Sequence, residues 1–109
     1  MTAQLTSEEI GLLRDSASKA CTLLKALANE DRLLLLCQLT QGERNVGELE
    51  ALTGIRQPTL SQQLGVLRDE GMVSTRRMGK YIFYSLASFE VVCVMQALSG
   101  LYCGQALKK

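Results

Sequence analysis

Histidine is missing altogether from the 109-residue chain. That removes the commonest metal ligand and the commonest general acid–base at neutral pH. No apolar run reaches the ~18 residues that a membrane-crossing helix needs. The opening segment, Met1 to Glu9, is polar and acidic and lacks the basic-then-apolar order of a secretory signal, so the expected location is cytoplasmic, with no membrane partner. The four cysteines, Cys21, Cys37, Cys93 and Cys103, contain no C-x-x-C pair, which speaks against a zinc ribbon and against a thioredoxin-like centre. A phosphate-cradling glycine loop is also lacking. No catalytic set emerges, and the chain is expected to be neither an enzyme nor the holder of a cofactor. In a reducing compartment its cysteines are expected as buried, metal-binding or reactive thiols rather than permanent crosslinks.

What is present suits one small domain spanning residues 1–109, with apolar residues at 47% and no repeat, linker or low-complexity stretch. The net charge is only +1, but it is unevenly spread. Residues 1–55 hold five basic and eight acidic side chains, and residues 56–109 hold seven basic and three acidic. A basic half on a near-neutral protein marks a localised electrostatic footprint.

Thr6 and Glu9 stand in capping-box spacing, and Ile10, Leu13, Ala17, Ala20 and Leu24 follow at helical intervals. This predicts a helix over about 7–28. Asn29 caps a second, with Glu30 and Asp31 near its positive end, and its run Leu33–Cys37 is apolar on almost every side, as in a helix packed all round. It should stop at Gly42. Asn45 and Glu48 open a short helix with Val46, Leu49 and Leu52 inward, closed by Gly54. A tight turn, Ile55 to Gln57, leads to the only proline, Pro58, as the first residue of a helix that buries Leu60, Leu64 and Leu67 and ends at Gly71. The period then shortens. Met72 to Leu86 alternates as a β-hairpin around a basic loop, Arg76-Arg77-Met78-Gly79-Lys80, before helical spacing returns from Ser88 to about Leu107.

Two short helices joined by a tight turn and followed by a basic hairpin form a winged helix-turn-helix: a mainly α fold with a small β-hairpin. With the three leucines inward, Thr59, Ser61, Gln62 and Gln63 face water on the N-terminal half of the second helix. They are uncharged hydrogen-bonding side chains suited to base edges, and a glutamine can pair bidentately with adenine. Arg56 and Arg68 flank them at phosphate positions, with Gln57 in the turn, while Arg76, Arg77 and Lys80 extend from the hairpin toward the DNA backbone or minor groove. A polar helix face or a basic hairpin alone is ordinarily just solvated. Their order and adjacency point to double-stranded DNA as the partner.

The stretch Gly47-Glu48-Leu49 through Gln57-Pro58-Thr59-Leu60-Ser61-Gln62-Gln63-Leu64, then Val66-Leu67-Arg68-Asp69-Glu70-Gly71-Met72-Val73, resembles the ArsR family of bacterial repressors. Leu24-Lys25-Ala26-Leu27-Ala28-Asn29-Glu30-Asp31-Arg32-Leu33 resembles its earlier signature. The likeness runs from about residue 15 onward; Gln63 departs from it, since many members carry histidine there. The resemblance implies an operator-binding homodimer with a helical interface built from the first and last helices. A small-residue stripe, Cys93, Ala97, Gly100 and Gly104, would permit close helix approach, within one subunit or between two.

The arsenic- or cadmium-type site of this family needs a C-x-C motif where the present chain reads Val46-Gly47-Glu48-Leu49-Glu50-Ala51-Leu52, and the zinc and nickel sites need histidine. Cys37, in Leu-Leu-Leu-Cys-Gln-Leu, and Cys103, in Leu-Tyr-Cys-Gly, are instead similar to the paired thiols of the biofilm growth-associated and sulfide-responsive repressor branch. That resemblance implies reactive sulfur species as inducer, with Cys37 and Cys103 joining in a di- or polysulfide that releases DNA. Cys21 and Cys93 have no assigned counterpart. A thiophilic metal or metalloid held by three cysteines, a thiol redox enzyme, and a winged helix that binds only protein stay open as rival readings.

Overall fold

The structure, a computed structural model, describes residues 4–103, and the side chains of residues 4–102. Helix α1 runs Ser7–Leu27, α2 Glu30–Leu39, the two-residue strand β1 Arg44–Asn45, α3 Val46–Thr53, α4 Thr59–Asp69, β2 Val73–Met78, β3 Tyr81–Leu86 and α5 Phe89–Leu98, with one π-type turn at Ser99–Cys103. Mainly helical with a small sheet, it is the winged helix-turn-helix expected from the sequence.

The helix starts follow their caps. Thr6 Oγ1 accepts from the Glu9 N–H and the Glu9 carboxylate accepts from the Thr6 N–H, a closed capping box. Asn29 Oδ1 accepts from the Arg32 N–H at 3.0 Å, opening α2. Asn45 and Glu48 form a second closed box at 2.9 Å in both directions. Gly54 ends α3 in the left-handed region at φ 78°, where a side chain would be strained.

Around α2 the core assembles: α2 packs on α1, α3, α4 and β3. Leu35, Leu36 and Leu39 of α2, Leu49 of α3, Leu60, Leu64 and Leu67 of α4, Met72 and Val73 leading into the sheet, and Val91 and Met95 of α5 are all buried. At about 25 cal/mol per Å² of apolar surface, each fully buried leucine contributes roughly 1.5–3 kcal/mol before entropy is charged against it.

Three expectations need correction. Leu52 of α3 points outward, 51% exposed, whereas Leu49 is buried and Val46 packs half-buried against the core, as expected. Leu34 of α2 is also exposed, so α2 is not covered on every side among the described residues. Pro58 sits one position before α4, as its cap residue rather than its first helical residue.

The sheet is antiparallel in the order β1–β3–β2. The short β1, unforeseen in the sequence, pairs Arg44 with Tyr84 and Asn45 with Phe83. The β2–β3 turn holds only Gly79 and Lys80, with Gly79 at φ 64°, so Arg76, Arg77 and Met78 lie in strand rather than loop. Register places Val73, Thr75 and Arg77 opposite Leu86, Tyr84 and Ile82 on one face, and Ser74, Arg76 and Met78 opposite Ser85, Phe83 and Tyr81 on the other. The helix expected to run from Ser88 to about Leu107 gives way at Ser99 to the π-type turn; its last predicted turn lies outside the described residues, as does Gly104 of the small-residue stripe.

Candidate nucleic-acid interface and the thiol positions

In α4 the three buried leucines fix the rotation of the helix, and so they decide which side chains face solvent. Ser61 and Gln62 are exposed, and Thr59 and Gln63 are half-buried on the flanks. Arg56, before the helix, and Arg68, in its last turn, are both exposed. This is the row of uncharged polar groups between two cations that the sequence indicated.

Two of its members already have work within the chain. Gln57 Oε1 accepts from the Ser61 N–H at 3.1 Å, which satisfies one of the open N–H groups at the start of α4, where Pro58 offers no side-chain cap. Gln63 Oε1 accepts from Arg32 Nη1 at 2.7 Å, tying α4 to α2. Sequence spacing gave no sign of this contact, which spans 31 residues.

The wing holds a similar surprise. Arg76 forms an ion pair with Glu43, Nε to Oε2 at 2.6 Å and Nη2 to Oε1 at 2.9 Å, and its guanidinium lies 5.7 Å from the centre of the Phe83 ring. It therefore leans over the sheet toward the turn after α2. The Arg76 hydrogen bond, and then its charge, hold the Glu43 carboxyl below its ordinary value, and Arg76 is raised in return. Arg77 is exposed and donates from Nε to the Gly79 carbonyl at 3.2 Å. Lys80 is exposed beside Tyr81, its Nζ 5.8 Å from the ring centre. Arg77 and Lys80 thus mark the hairpin tip, with Arg76 set back from it.

Among the cysteines, Cys37 is half-buried on α2 and packs against the core, and its carbonyl accepts from Thr40 Oγ1 at 2.6 Å. Cys21 on α1 and Cys93 on α5 are exposed. Cys103 closes the π-type turn, and its side chain lies outside the described residues. Between the end of α2 and α5 runs an open cleft of about 270 Å³ lined by Thr40, Gln41, Met95, Gln96 and Ser99. Among the described residues, no three Cys, Asp, Glu or His side chains gather as metal ligands.

The outer face of α1 is apolar and has no partner among the described residues. Leu5, just before it, and Ile10, Leu12, Leu13 and Leu24 on it are 47–66% exposed. Only Ala26 and Leu27 of this helix reach the core as buried residues. Among the described residues, no helix is long and apolar enough to cross a membrane.

A reading helix presented by a leucine core, a preceding short helix and a basic two-stranded wing define a DNA-binding transcriptional regulator of the winged helix-turn-helix class. Residues 29–75 match the family described as bacterial regulatory protein, arsR family. The chain is 55% identical over 87 residues to the biofilm growth-associated repressor of Agrobacterium fabrum, covering 80% of this chain and 74% of that protein. It is 44% identical over 91 residues to the transcriptional activator HlyU of Vibrio cholerae, covering 84% of each. The crystal structure of the transcriptional repressor BigR from Xylella fastidiosa superposes with a TM-score of 0.81 at 46% identity, over 89% of this chain and 96% of that one. The chain belongs to the ArsR family of bacterial regulators, a family of regulators rather than enzymes.

Proposed function

We propose that this chain is a homodimeric repressor in the cytoplasm. In this reading it binds a double-stranded operator through α4 and the wing tip, and lets go when sulfur joins Cys37 to Cys103. The observation that carries the DNA half is the uncharged row Thr59, Ser61 and Gln62 between Arg56 and Arg68, held outward by buried Leu60, Leu64 and Leu67. Uncharged donors and acceptors discriminate bases, while the flanking cations neutralise phosphates without reading sequence. Arg77 and Lys80 extend the phosphate contacts beyond the helix.

Dimerisation is supported by α1. Its row of exposed leucines is too apolar for a solvated helix face, and a second copy of the same face covers it symmetrically. Two α4 helices then read half-sites about one turn, ~34 Å, apart. The repressive sign follows the relative with 55% identity, since the relative with 44% identity is named an activator.

The switch is supported by Cys37 lying one turn before Thr40, on the helix whose end shares a cleft with α5, the helix leading to Cys103. The chemistry balances with a persulfide, RSSH, as oxidant. One protein thiolate attacks the outer sulfur and releases RSH. The second thiolate attacks the resulting protein persulfide at its inner sulfur, expelling hydrosulfide and leaving a disulfide. Two thiols are oxidised and one sulfane sulfur is reduced to sulfide; a further persulfide inserts another sulfur and gives the trisulfide. A coupling of ~3 kcal/mol between crosslink and DNA corresponds to about 150-fold in affinity.

Intact-protein mass spectrometry and operator mobility shifts, run in parallel, test this. With persulfide, the wild type should gain a crosslinked mass and release the DNA upstream of its own gene, and Cys37→Ser and Cys103→Ser should do neither. Identical crosslinking in both variants overturns the thiol assignment. A crosslinked wild type with unchanged DNA affinity overturns the switch.

A further inference from the structure

Arg32 sits where three helices meet. Its backbone N–H is capped by Asn29, its Nε donates to the Ala26 carbonyl and its Nη2 reaches the Lys25 carbonyl at 3.5 Å, both at the C-terminal end of α1. Its remaining arm, Nη1, donates to Gln63 Oε1 on α4 at 2.7 Å. A guanidinium carries five donors and no acceptor, so the orientation of the facing amide is forced. Oε1 turns inward to Arg32 and Nε2 turns away. Among the described residues Nε2 has no hydrogen-bond partner, and Gln63 is half-exposed.

We propose that Arg32 is the positioning residue that makes Gln63 a donor-only reader, selecting guanine or thymine and rejecting adenine at the base pair it meets. This rests on the reading that α4 enters the major groove. A free glutamine pairs with adenine by using both ends of its amide, Oε1 to N6–H and Nε2–H to N7. Here Oε1 is held by a charge-assisted bond, the stronger kind, to a side chain anchored on two carbonyls. With Oε1 turned toward Arg32, Nε2 and its two hydrogens are the end of the amide left to meet DNA. They match the N7 and O6 acceptors of guanine and the O4 of thymine. Adenine offers N7 as well, but its N6–H₂ then faces another donor, and cytosine offers only its N4–H₂ donor.

The same contact explains how one residue type gives different readings at different places on the helix. Gln62, exposed and with no such partner among the described residues, keeps both amide ends for a base edge. Gln63 has lost one. The two glutamines, adjacent in sequence, are therefore expected to read opposite chemistry.

Selection of binding sites from a random duplex pool, using the full chain, tests the assignment. The base pair in question is the one whose preference flattens in Gln63→Ala. The wild type should favour guanine or thymine there by about tenfold over adenine. Gln63→Glu leaves only acceptors beside Arg32 and should turn the preference to cytosine or adenine. Arg32→Lys keeps a donor toward Oε1 and should preserve the wild-type choice, whereas Arg32→Met frees the amide and should admit adenine. A merely structural Arg32 would lower affinity for all sequences equally and switch none. Should Arg32→Met fail to fold, as judged by circular dichroism, Gln63→Glu decides. Adenine at that pair in the wild type, no pair that depends on Gln63, or an unaltered choice in Gln63→Glu overturns the proposal while leaving DNA binding intact. A wild type that enriches no sequence overturns the DNA-binding reading itself, and this inference with it.

Discussion

Arg76 of β2 and Glu43 of the turn after α2 meet at two points across the central strand β3, with the Arg76 guanidinium above the ring of Phe83. Both side chains are solvent-accessible, so the pair adds little to stability by itself. Its use is geometric. It ties the outer strand of the wing to the segment that enters β1.

The pair makes a signed prediction with pH. The Glu43 carboxyl is held below its ordinary value of 4.5 by the Arg76 hydrogen bond, so its stabilising contribution is present above that value and is lost as pH falls through the lowered one. Melting temperatures of wild type and Glu43→Gln should differ slightly at neutral pH and converge in acid. A gap that widens on acidification would contradict the assignment.

The same contact ranks the wing cations. Arg77→Ala and Lys80→Ala should each weaken operator binding and lower the slope of log affinity against log salt by about 1, as loss of one phosphate contact requires. Arg76→Ala should lower it less, because Glu43 already matches its charge. Equal slopes for all three variants would mean that Arg76 leaves Glu43 when DNA binds.

On α1, Leu12 and Leu13 are 66% and 58% exposed, and a second copy of the chain is the proposed cover. Leu12→Glu or Leu13→Glu should give a folded monomer by sedimentation and circular dichroism, with DNA affinity reduced to that of a single half-site. A dimer that persists in both variants would move the interface elsewhere.

Two leucines of α3 offer a packing test, since Leu49 is fully buried and Leu52 is 51% exposed. Leu49→Ala should destabilise by about 2–5 kcal/mol in denaturant titration, through lost burial and the cavity left behind. Leu52→Ala should stay within ~0.5 kcal/mol, as exposed substitutions do. Similar losses at both positions would show that Leu52 is covered in solution.

Where structure depends on neighbours in sequence, the sequence was legible. Thr6 with Glu9 and Asn45 with Glu48 announce helix starts because a cap bonds across three residues, and the leucine triplet of α4 announces its own rotation. Gly54, Gly71 and Gly79 mark ends and turns that need a left-handed backbone. What stayed hidden depends on partners far along the chain. Strand β1 is two residues long and has no period of its own; it exists only because Tyr84 and Phe83 lie alongside. Nothing near Gln63 or Arg76 in sequence foretells Arg32 or Glu43. The candidate site was therefore readable as a list of side chains, while the contacts that decide which of them are at liberty were not. The proposed thiol pairing rests on resemblance, as local chemistry around Cys37 does not indicate it.

Asn45 occupies two structural offices at once: it pairs with Phe83 at the margin of the sheet, and its side chain fastens the first turn of α3. A hairpin whose edge strand β1 runs straight into a helix is coupled to that helix. Whatever tilts the sheet must carry α3 along, so contacts at the hairpin tip and contacts from the reading unit would be made or broken together.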